Sequence, residues 1–284
     1  MYTVLDTDEK AARFRKKLER ERIPMIAMDF EGEFNLHRYG ERLCLIQIYD
    51  GSHFYIADPF GISREELAGL FESKVTKLFY DASSDRMLVY KQYGIKIRAI
   101  LDLKVLVDTL GFEQKSLSAV LNTLFRIEAP NKKKFQRYNW LNRPIDESAL
   151  RYALSDVEFL FRLKDELIRR IEKEERTEEL LCALSAVHVD YDKKSVPGIK
   201  KKKSYLSMRP GEKKIFDQIY EAREKIAKKI DRPPNFVLSN DQLFRLAFRD
   251  ITGKQMSFNG RISPSIRTEF ETKIQRILSS VKEQ

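Results

Sequence analysis

The chain has 284 residues, of which 42% are hydrophobic and 34% are charged, and its formal net charge is +10. This length allows one large domain or two smaller ones, and the apolar fraction suffices for a sizeable core. No apolar stretch approaches the roughly 20 residues that a membrane-spanning helix needs, and the first twenty residues, which include several acidic ones, do not resemble a secretory signal.

The cysteine content points to a reducing compartment. Cys44 and Cys182 both lie in apolar settings ("RLCLIQI" and "LLCALSA") and are predicted to be buried free thiols. Cysteines and histidines are too few and too scattered for a structural zinc site. We therefore expect a cytoplasmic protein.

The positive charge is concentrated at one end of the chain. Residues 1–188 carry 31 Lys and Arg against 31 Asp and Glu, whereas residues 189–284 carry 22 against 12. A neutral body with a basic appendage suggests a polyanionic partner, most simply nucleic acid. The alternative is a basic domain whose charge serves solubility alone.

The first third of the chain is predicted to begin with a helix over residues 7–22, capped by Thr7 or Asp8. Residues 23–30, "IPMIAMDF", form a short apolar run typical of a buried strand. The runs "LCLIQIYDG" and "SHFYIADPF" predict two more strands separated by a turn. Together these three strands are expected to form a meander.

Helices and strands alternate in the next part. A serine-capped helix is predicted over residues 63–73, a strand in "VTKLFYDAS", and a helix over residues 84–94 that ends at a glycine. A strand end followed by a helix is expected over residues 97–111, then a serine-capped helix over 116–126 and one long helix over 146–175. The alternation predicts an α/β domain with a mixed sheet covered by helices.

A boundary is predicted after residue 188. Residues 189–204 hold a Pro-Gly pair and four consecutive lysines, which indicates a basic linker. Residues 205–284 show helical periodicity throughout and predict a small all-α domain.

Acidic residues mark the end of the first buried strand. In "MDFEGEF", Asp29 and Glu31 are two positions apart, so both carboxylates should project from the same face of the strand. Two neighbouring like charges repel each other unless a cation lies between them. Taken alone, Asp-x-Glu is a weak signal that most proteins contain by chance.

Two further carboxylates are candidates for the same cleft. Asp85 lies where "FYDASSDRMLVY" passes from a strand into a helix, and Asp156 follows Tyr152 by about one helical turn. Asp81, also at that junction, is interpreted as a loop or cap residue. Four carboxylates with few histidines favour Mg²⁺ or Mn²⁺ over zinc, and two such ions can clamp the attacking and leaving oxygens of a phosphodiester.

These residues resemble the motifs of a known enzyme family. The order Asp-x-Glu, Asp, Tyr-x-x-x-Asp is similar to the three motifs of the DEDDy group of 3′-to-5′ exonucleases, and ribonuclease D in particular. "RLCLIQIYDG" and the run "KKFQRYNWLNRPIDESALRYALSDVEFL" carry most of the likeness, which covers roughly residues 20–185. Residues 205–284 resemble an HRDC domain, a helical module of RecQ helicases and ribonuclease D, chiefly through "RPPNFVLSNDQLFRLA".

The resemblance implies a ribonuclease-H-like fold and a metal-dependent exoribonuclease that trims tRNA and other structured small RNAs, releasing nucleoside 5′-monophosphates. It implies that Asp29, Glu31, Asp85 and Asp156 hold two divalent ions, Mg²⁺ or Mn²⁺, with Asp29 bridging them. It implies that Tyr152 orients or helps to deprotonate the attacking water. Positioning is the role assigned first, since a phenol with a pKa of about 10 is a poor base at neutral pH.

The chain departs from the family pattern at three points. Tyr80 stands five residues before Asp85, where the family often has histidine, and Asp102 is followed by Leu103 instead of threonine. The chain has room for one HRDC domain, whereas bacterial ribonuclease D usually carries two. These differences bear on how the 3′ end is held, on processivity and on preference for structured RNA.

Several residues near the motifs are candidate nucleic-acid contacts. Aromatic side chains beside such a site can stack on bases, and a carboxylate can accept a hydrogen bond from a ribose hydroxyl. A core position for Phe30 and a helix-packing role for Arg143 are the alternatives. The candidates are Phe30, Glu33, Phe34, Tyr80, Gln136, Trp140 and Arg143, with lysines 132–134 and 200–203 as possible phosphate contacts.

Other functions stay open on the sequence alone. The same site cuts DNA as well as RNA, because discrimination depends on contacts to the 2′-hydroxyl. A nucleic-acid-binding protein without activity is a second alternative, which the intact set of five catalytic positions disfavours. A protein-docking role for the C-terminal domain is a third. We expect a monomer that does not associate with membranes.

Overall fold

The computed structural model describes residues 1–128, 132–192 and 196–280. The chain forms two compact units. The first comprises Met1–Glu33 and Glu41–Tyr191, and the second comprises Phe34–Gly40 and Asp192–Gln284. The division after Tyr191 lies close to the boundary expected at residue 188, but the short segment 34–40 joins the second unit.

The first unit is built on a six-stranded sheet. Its strand order is β1-β4-β3-β2-β5-β6, with parallel pairs β1/β4, β2/β5 and β5/β6 and an antiparallel pair β3/β4. The mixed sheet and the β2-β3-β4 run agree with the prediction. The strands are β1 (Tyr2–Leu5), β2 (Met25–Phe34), β3 (Glu41–Tyr49), β4 (Phe54–Ala57), β5 (Thr76–Phe79) and β6 (Ile100–Asp102).

Strand β1 has no counterpart among the predicted elements. It is four residues long and lies at the sheet edge, where Tyr2 aligns with Phe54 and Leu5 with Ala57. Only Leu5 is buried in it. Such a strand forms because β4 offers it an open edge, and four residues without alternation carry no periodic signal of their own.

Three helices cover one face of the sheet. Their apolar residues pack with Met28 and Phe30 of β2 into one cluster, and Thr7 and Ser63 cap the first two helices through their side-chain oxygens. The predicted caps at these two positions are therefore present. The helices are α1 (Asp8–Arg20), α2 (Arg64–Phe71) and α3 (Ser83–Tyr93).

The opposite face carries the remaining helices of this unit. Their apolar residues form two clusters, one around Ala27 of β2 and Leu78 of β5, the other around Leu45 of β3. The helices are α4 (Leu103–Thr109), α5 (Leu117–Phe125), α6 (Lys132–Phe135), α7 (Glu147–Glu158), α8 (Leu160–Lys173) and α9 (Thr177–Ser185).

The prediction of a single long helix over residues 146–175 is wrong. The helix breaks at Phe159, whose backbone has φ −100° and ψ 0°, so that α7 and α8 are separate. Ala149 and Ala153 of α7 pack around Leu45, whereas Leu163 of α8 packs around Ala27. The break lets the two helices follow different parts of the sheet, which a continuous apolar pattern does not reveal.

The two cysteines differ in their environment. Cys44 is buried, as predicted, and burial raises the pKa of its thiol to about 11. Cys182 is exposed, so the predicted burial of this residue is wrong. It lies on α9, of which no residue is fully buried.

The second unit is helical around one apolar cluster. Ser239 caps the helix that begins at Asn240 through its side-chain oxygen, and Pro264 opens the last helix. Segment 34–40 contributes Tyr39 to the cluster, and the Arg38 guanidinium and Tyr39 amide each lie 3.3 Å from a carboxylate oxygen of Asp231. The helices are α10 (Lys203–Leu206), α11 (Pro210–Lys229), α12 (Pro234–Val237), α13 (Asn240–Ala247) and α14 (Pro264–Ser280).

The segment expected to be a basic linker is partly helical. A 3-10 helix spans Gly198–Lys201, and α10 follows directly. Ile199, which directly precedes the lysine run, is buried in the cluster of the second unit and anchors this part of the chain. Residues 193–195 of the expected linker lie outside the described residues.

Among the helices of the described residues, none combines the length and the apolar character that crossing a bilayer requires.

Candidate active site

Alternation along β2 places Asp29 and Glu31 on one side of the sheet. Met28 and Phe30 pack in the cluster formed with α1 to α3, whereas Ala27 packs in a cluster on the other face. Asp29 and Glu31 therefore share the face of Ala27, which α7 and α8 cover. Both residues are half-buried.

Helix α7 supplies the third acidic residue. Ala149, Ala153 and Val157 form its buried face, which fixes the rotation of the helix over the sheet. Tyr152 and Asp156 flank this face one turn apart, and both are half-buried. Carboxylate oxygens of Asp29, Glu31 and Asp156 all lie within 4.8 Å of one another.

Asp85 completes the acidic site from another element. It lies in the first turn of α3 and is half-buried. It is not part of the 4.8 Å group, but its negative charge helps to raise the pKa of both Asp29 and Glu31. The four predicted ligands thus come from a strand and two helices that meet at one place.

The electrostatics of this cluster call for a cation. Burial, together with neighbouring carboxylates, raises the pKa of Asp29 and Glu31 well above the usual range. Burial, with charge from Asp81 and Asp102, raises the pKa of Asp85 to about 7. Protons and divalent cations therefore compete for the Asp85 carboxylate near neutral pH. An all-carboxylate donor set suits hard cations such as Mg²⁺ and Mn²⁺, so the residues fit a divalent-metal site.

Tyr152 is held against an aromatic neighbour. Its ring stacks on Phe135 with centroids 4.7 Å apart and planes 19° from parallel. Burial and the charges of Asp156, Glu31 and Asp29 raise the pKa of its phenol further above the ordinary value. Tyr152 is consequently a neutral hydrogen-bond donor and acceptor, not a general base. Phe135 lies 17 positions from Tyr152 in the sequence, and no sequence signal linked them.

Two predicted nucleic-acid contacts are buried side chains. Phe30 is 8% exposed and meets Phe71 and Phe79 edge to face. Trp140 is 4% exposed and packs in the cluster under α7. Both predictions are corrected, because strand alternation and packing turn these rings away from solvent.

Arg143 also has a structural role. Its guanidinium forms a bidentate pair with Asp58 at 2.6 and 3.0 Å and donates to the carbonyl oxygens of Cys44 and Trp140. These bonds tie the segment before α7 to the sheet. These bonds support the packing role that was its alternative, and because the Arg143 side chain is 30% exposed, the phosphate contact stays a prediction.

The remaining predicted contacts fall into two groups. Glu33 is 2% exposed, which is inconsistent with direct access of a ribose, and the Tyr80 phenol donates to the Lys115 carbonyl oxygen at 2.6 Å. Phe34 is 48% exposed and Gln136 is exposed, so both are available to a ligand. Of lysines 132–134, Lys134 is exposed, and the side chains of the other two lie outside the described part of the chain.

Asp81 occupies the junction before α3 without joining the acidic cluster. Its backbone has φ +64°, and its carboxylate pairs with Lys104 at 3.1 Å. This placement agrees with its interpretation as a loop residue.

Comparison with known proteins gives the relationship of both units. The sequence profile of the 3′-5′ exonuclease family matches residues 2–172, and that of the HRDC domain matches residues 212–254. A Caenorhabditis elegans exosome complex component 10 homolog is 25% identical over 88% of the chain, and a Xanthomonas oryzae ribonuclease D is 26% identical over 74%. The chain spans 30% and 58% of the lengths of these two relatives.

Solved structures share the same fold. The catalytic core of RRP6 from Trypanosoma brucei superposes with a TM-score of 0.76 at 22% identity, covering 99% of the chain and 79% of that structure. Escherichia coli RNase D superposes with a TM-score of 0.70 at 20% identity, covering 100% of the chain and 76% of that structure. At these identities the likeness shows the fold.

Proposed function

The chain is a member of the 3′-5′ exonuclease family, and we propose that it is a metal-dependent exoribonuclease. It shortens tRNA precursors and other structured small RNAs from their 3′ ends and releases nucleoside 5′-monophosphates. The grouping of the Asp29, Glu31 and Asp156 carboxylates within 4.8 Å is the single observation that carries the proposal. RNA as substrate is supported by relatives named as ribonuclease D and as an exosome component.

Asp29, Glu31, Asp85 and Asp156 are proposed to hold two divalent ions, Mg²⁺ or Mn²⁺. Asp29 would take part in both halves of the site, since it lies in the 4.8 Å group and the charge of Asp85 also raises the pKa of its carboxyl group. When bound, such ions supply positive charge to the transition state of phosphodiester hydrolysis and make an attacking water more acidic.

The protein side chains supply position. Tyr152, neutral and stacked on Phe135, holds its hydroxyl at the edge of the carboxylate cluster, where it can orient a water for attack on the terminal phosphodiester. The fixed rotation of α7 over the sheet keeps Tyr152 and Asp156 in register with Asp29 and Glu31. Phe34 and Gln136 offer exposed contacts to the terminal nucleotides.

The second unit is proposed to hold RNA by charge. Its basic excess of ten over residues 189–284 suits sequence-independent contact with phosphates. Lys201, Lys202 and Lys203 are exposed on the described part of the former linker and are available for it.

Product analysis tests the proposal. The full chain is incubated with a 3′-extended tRNA and Mn²⁺, and the released material is separated by chromatography. Nucleoside 5′-monophosphates are expected, with none released in EDTA or by Asp156→Asn. Internal fragments or nucleoside 3′-monophosphates would contradict the proposed reaction.

A further inference from the structure

The junction between β5 and α3 decides where Asp85 stands. Asp81 has a left-handed backbone, which non-glycine residues adopt only at a free-energy cost, although aspartate tolerates it better than most. Ala82, which precedes α3, has no side chain that caps the helix. The junction therefore depends on groups from elsewhere to fix the first turn that carries Asp85.

Asp102 supplies that fixation. It is the last residue of β6 and aligns with Phe79, the last residue of β5, so its side chain is next to the junction. One carboxylate oxygen accepts from the Asp81 amide at 2.8 Å, and the other accepts from the Ala82 amide at 2.8 Å. The first oxygen also accepts from the Lys104 amide at 3.0 Å, where it caps α4.

Lys104 reinforces the same junction from the other side. Its ammonium group lies 3.1 Å from the carboxylate of Asp81. Asp102 and Lys104 thus hold the junction through the amides of Asp81 and Ala82 and through the Asp81 side chain. Hydrogen bonds that backbone amides donate to a carboxylate are roughly twice as strong as hydrogen bonds between neutral groups. They are therefore suited to holding a turn in place.

We propose that Asp102, assisted by Lys104, is a positioning residue that holds Asp85 at the divalent-metal site. The inference rests on the proposed function, because it assigns to Asp102 an effect on metal binding that acts through Asp85. Partners that orient metal ligands typically contribute 10- to 100-fold to metal affinity. If Asp102 were only a helix cap, its replacement would lower the stability of the fold and leave metal affinity unchanged. As a positioning residue, it should affect metal affinity more than stability.

Calorimetric titration of the metal-free full chain with Mn²⁺ tests this. Asp102→Asn keeps the shape of the side chain but turns an amide group toward at least one of the two backbone N–H donors. The expected result is an Mn²⁺ affinity lower by about 10-fold or more. Asp108→Asn is the matched control. Asp108 lies on α4, the helix that Asp102 caps, and its carboxylate pairs only with Lys115 among the contacts described. This variant should leave Mn²⁺ binding within about twofold of the wild type.

A double-mutant cycle separates positioning from general stability. In an Asp85→Asn background, Asp102→Asn is expected to cause no further loss of Mn²⁺ affinity. The full loss persisting in that background would overturn the inference. So would a lower melting temperature with unchanged Mn²⁺ affinity.

Lys104→Met keeps the inference testable if Asp102→Asn does not fold. It removes the ion pair with Asp81 and leaves the hydrogen bonds of Asp102 in place. Mn²⁺ binding is therefore expected to weaken by only about threefold. Unchanged affinity in a folded Lys104→Met chain would overturn the inference. A wild-type chain that takes up no Mn²⁺ would instead overturn the proposed function itself.

Discussion

At the scale of single residues, the raised pKa of Asp85 in the acidic cluster lowers the stability of the metal-free protein at neutral pH. Asp85 has a pKa of about 7 in the folded chain, against about 4 for an unfolded aspartate. The unfolded state therefore holds fewer protons, and the stability of the metal-free protein falls as pH rises from about 4 to about 7. Above pH 7 the destabilisation is complete.

Asp85→Asn should remove this destabilisation. In EDTA at pH 8, the variant is expected to be more stable than the wild type by about 1 to 3 kcal/mol, and the difference should vanish toward pH 4. Urea unfolding at several pH values measures it. Asp108→Asn is the control, since Asp108 is exposed and pairs with Lys115. Equal stability of Asp85→Asn and wild type at pH 8 would contradict the raised pKa.

Gln47 is a second residue whose burial has a measurable consequence. It is fully buried on β3, and neither its amide nitrogen nor its amide oxygen has a hydrogen-bond partner among the described residues. Gln242 is also buried, but its amide exchanges bonds of 2.8 and 2.7 Å with the backbone of Ser257. The two glutamines differ in whether their polar atoms are satisfied.

Gln47→Leu is therefore expected to stabilise the protein by about 1 kcal/mol or more, because it removes two unsatisfied polar atoms from the interior. Gln242→Leu should destabilise it by about 1 to 3 kcal/mol, because it leaves the Ser257 groups unpaired. Thermal unfolding of both variants checks the opposite signs. Destabilisation by both would show that Gln47 is satisfied in solution.

At the scale of elements, helix α7 connects the fold to the chemistry. Tyr152 lies on this helix, and Tyr138 contacts the residue at which it begins. The Tyr152 ring stacks on Phe135 beside the carboxylates, whereas the Tyr138 hydroxyl accepts from the Asp146 amide at 3.0 Å, where α7 begins. The first phenol lies beside the proposed metal site, and the second hydrogen-bonds the residue at which the helix begins.

Replacing each by phenylalanine should separate these roles. Tyr152→Phe keeps the stacked ring and is expected to lower kcat by about 10- to 100-fold with little change in stability. Tyr138→Phe should lower stability by about 1 kcal/mol and leave kcat nearly unchanged. Steady-state kinetics and urea unfolding give both values. A full kcat in Tyr152→Phe would remove the phenol from the mechanism.

The elements also show what sequence reasoning can reach. Strand alternation placed Asp29 and Glu31 on one face, and helical spacing placed Tyr152 beside Asp156, because both periodicities are local. Strand β1 and the break at Phe159 were missed, since an open sheet edge and competing packing clusters are long-range causes. Phe30 and Trp140 were misassigned for the same reason. Nearness to a motif in sequence does not tell which way a side chain faces.

At the scale of the whole molecule, charge is divided between the two parts of the chain. The balanced residues 1–188 carry the acidic site, and the basic excess lies in residues 189–284. Within the second unit, Lys225, Lys273 and Arg276 line a groove of about 320 Å³ with a single acidic residue, Glu221. The groove offers three cations to a phosphate backbone.

Neutralising Lys225, Lys273 and Arg276 to glutamine should weaken binding of single-stranded RNA and reduce the slope of log K against log salt by about 2. Neutralising Arg13, Lys16 and Arg20 on α1 is the matched control and should leave the slope nearly unchanged. Fluorescence anisotropy over a range of salt concentrations measures both. Equal slopes for the two variants would place the RNA contacts elsewhere.

Removal of nucleotides from the 3′ end of RNA by the carboxylate cluster is the activity on which the proposed function depends. The most direct test follows a 5′-labelled, 3′-tailed tRNA and a matched single-stranded DNA with Mg²⁺, Mn²⁺ or EDTA, with Asp29→Asn alongside. We expect a ladder that shortens from the 3′ end of the RNA in either metal, and none in EDTA or with the variant. Equal or faster loss of DNA would contradict the ribonuclease assignment, and binding without cleavage in any metal would contradict the enzyme itself.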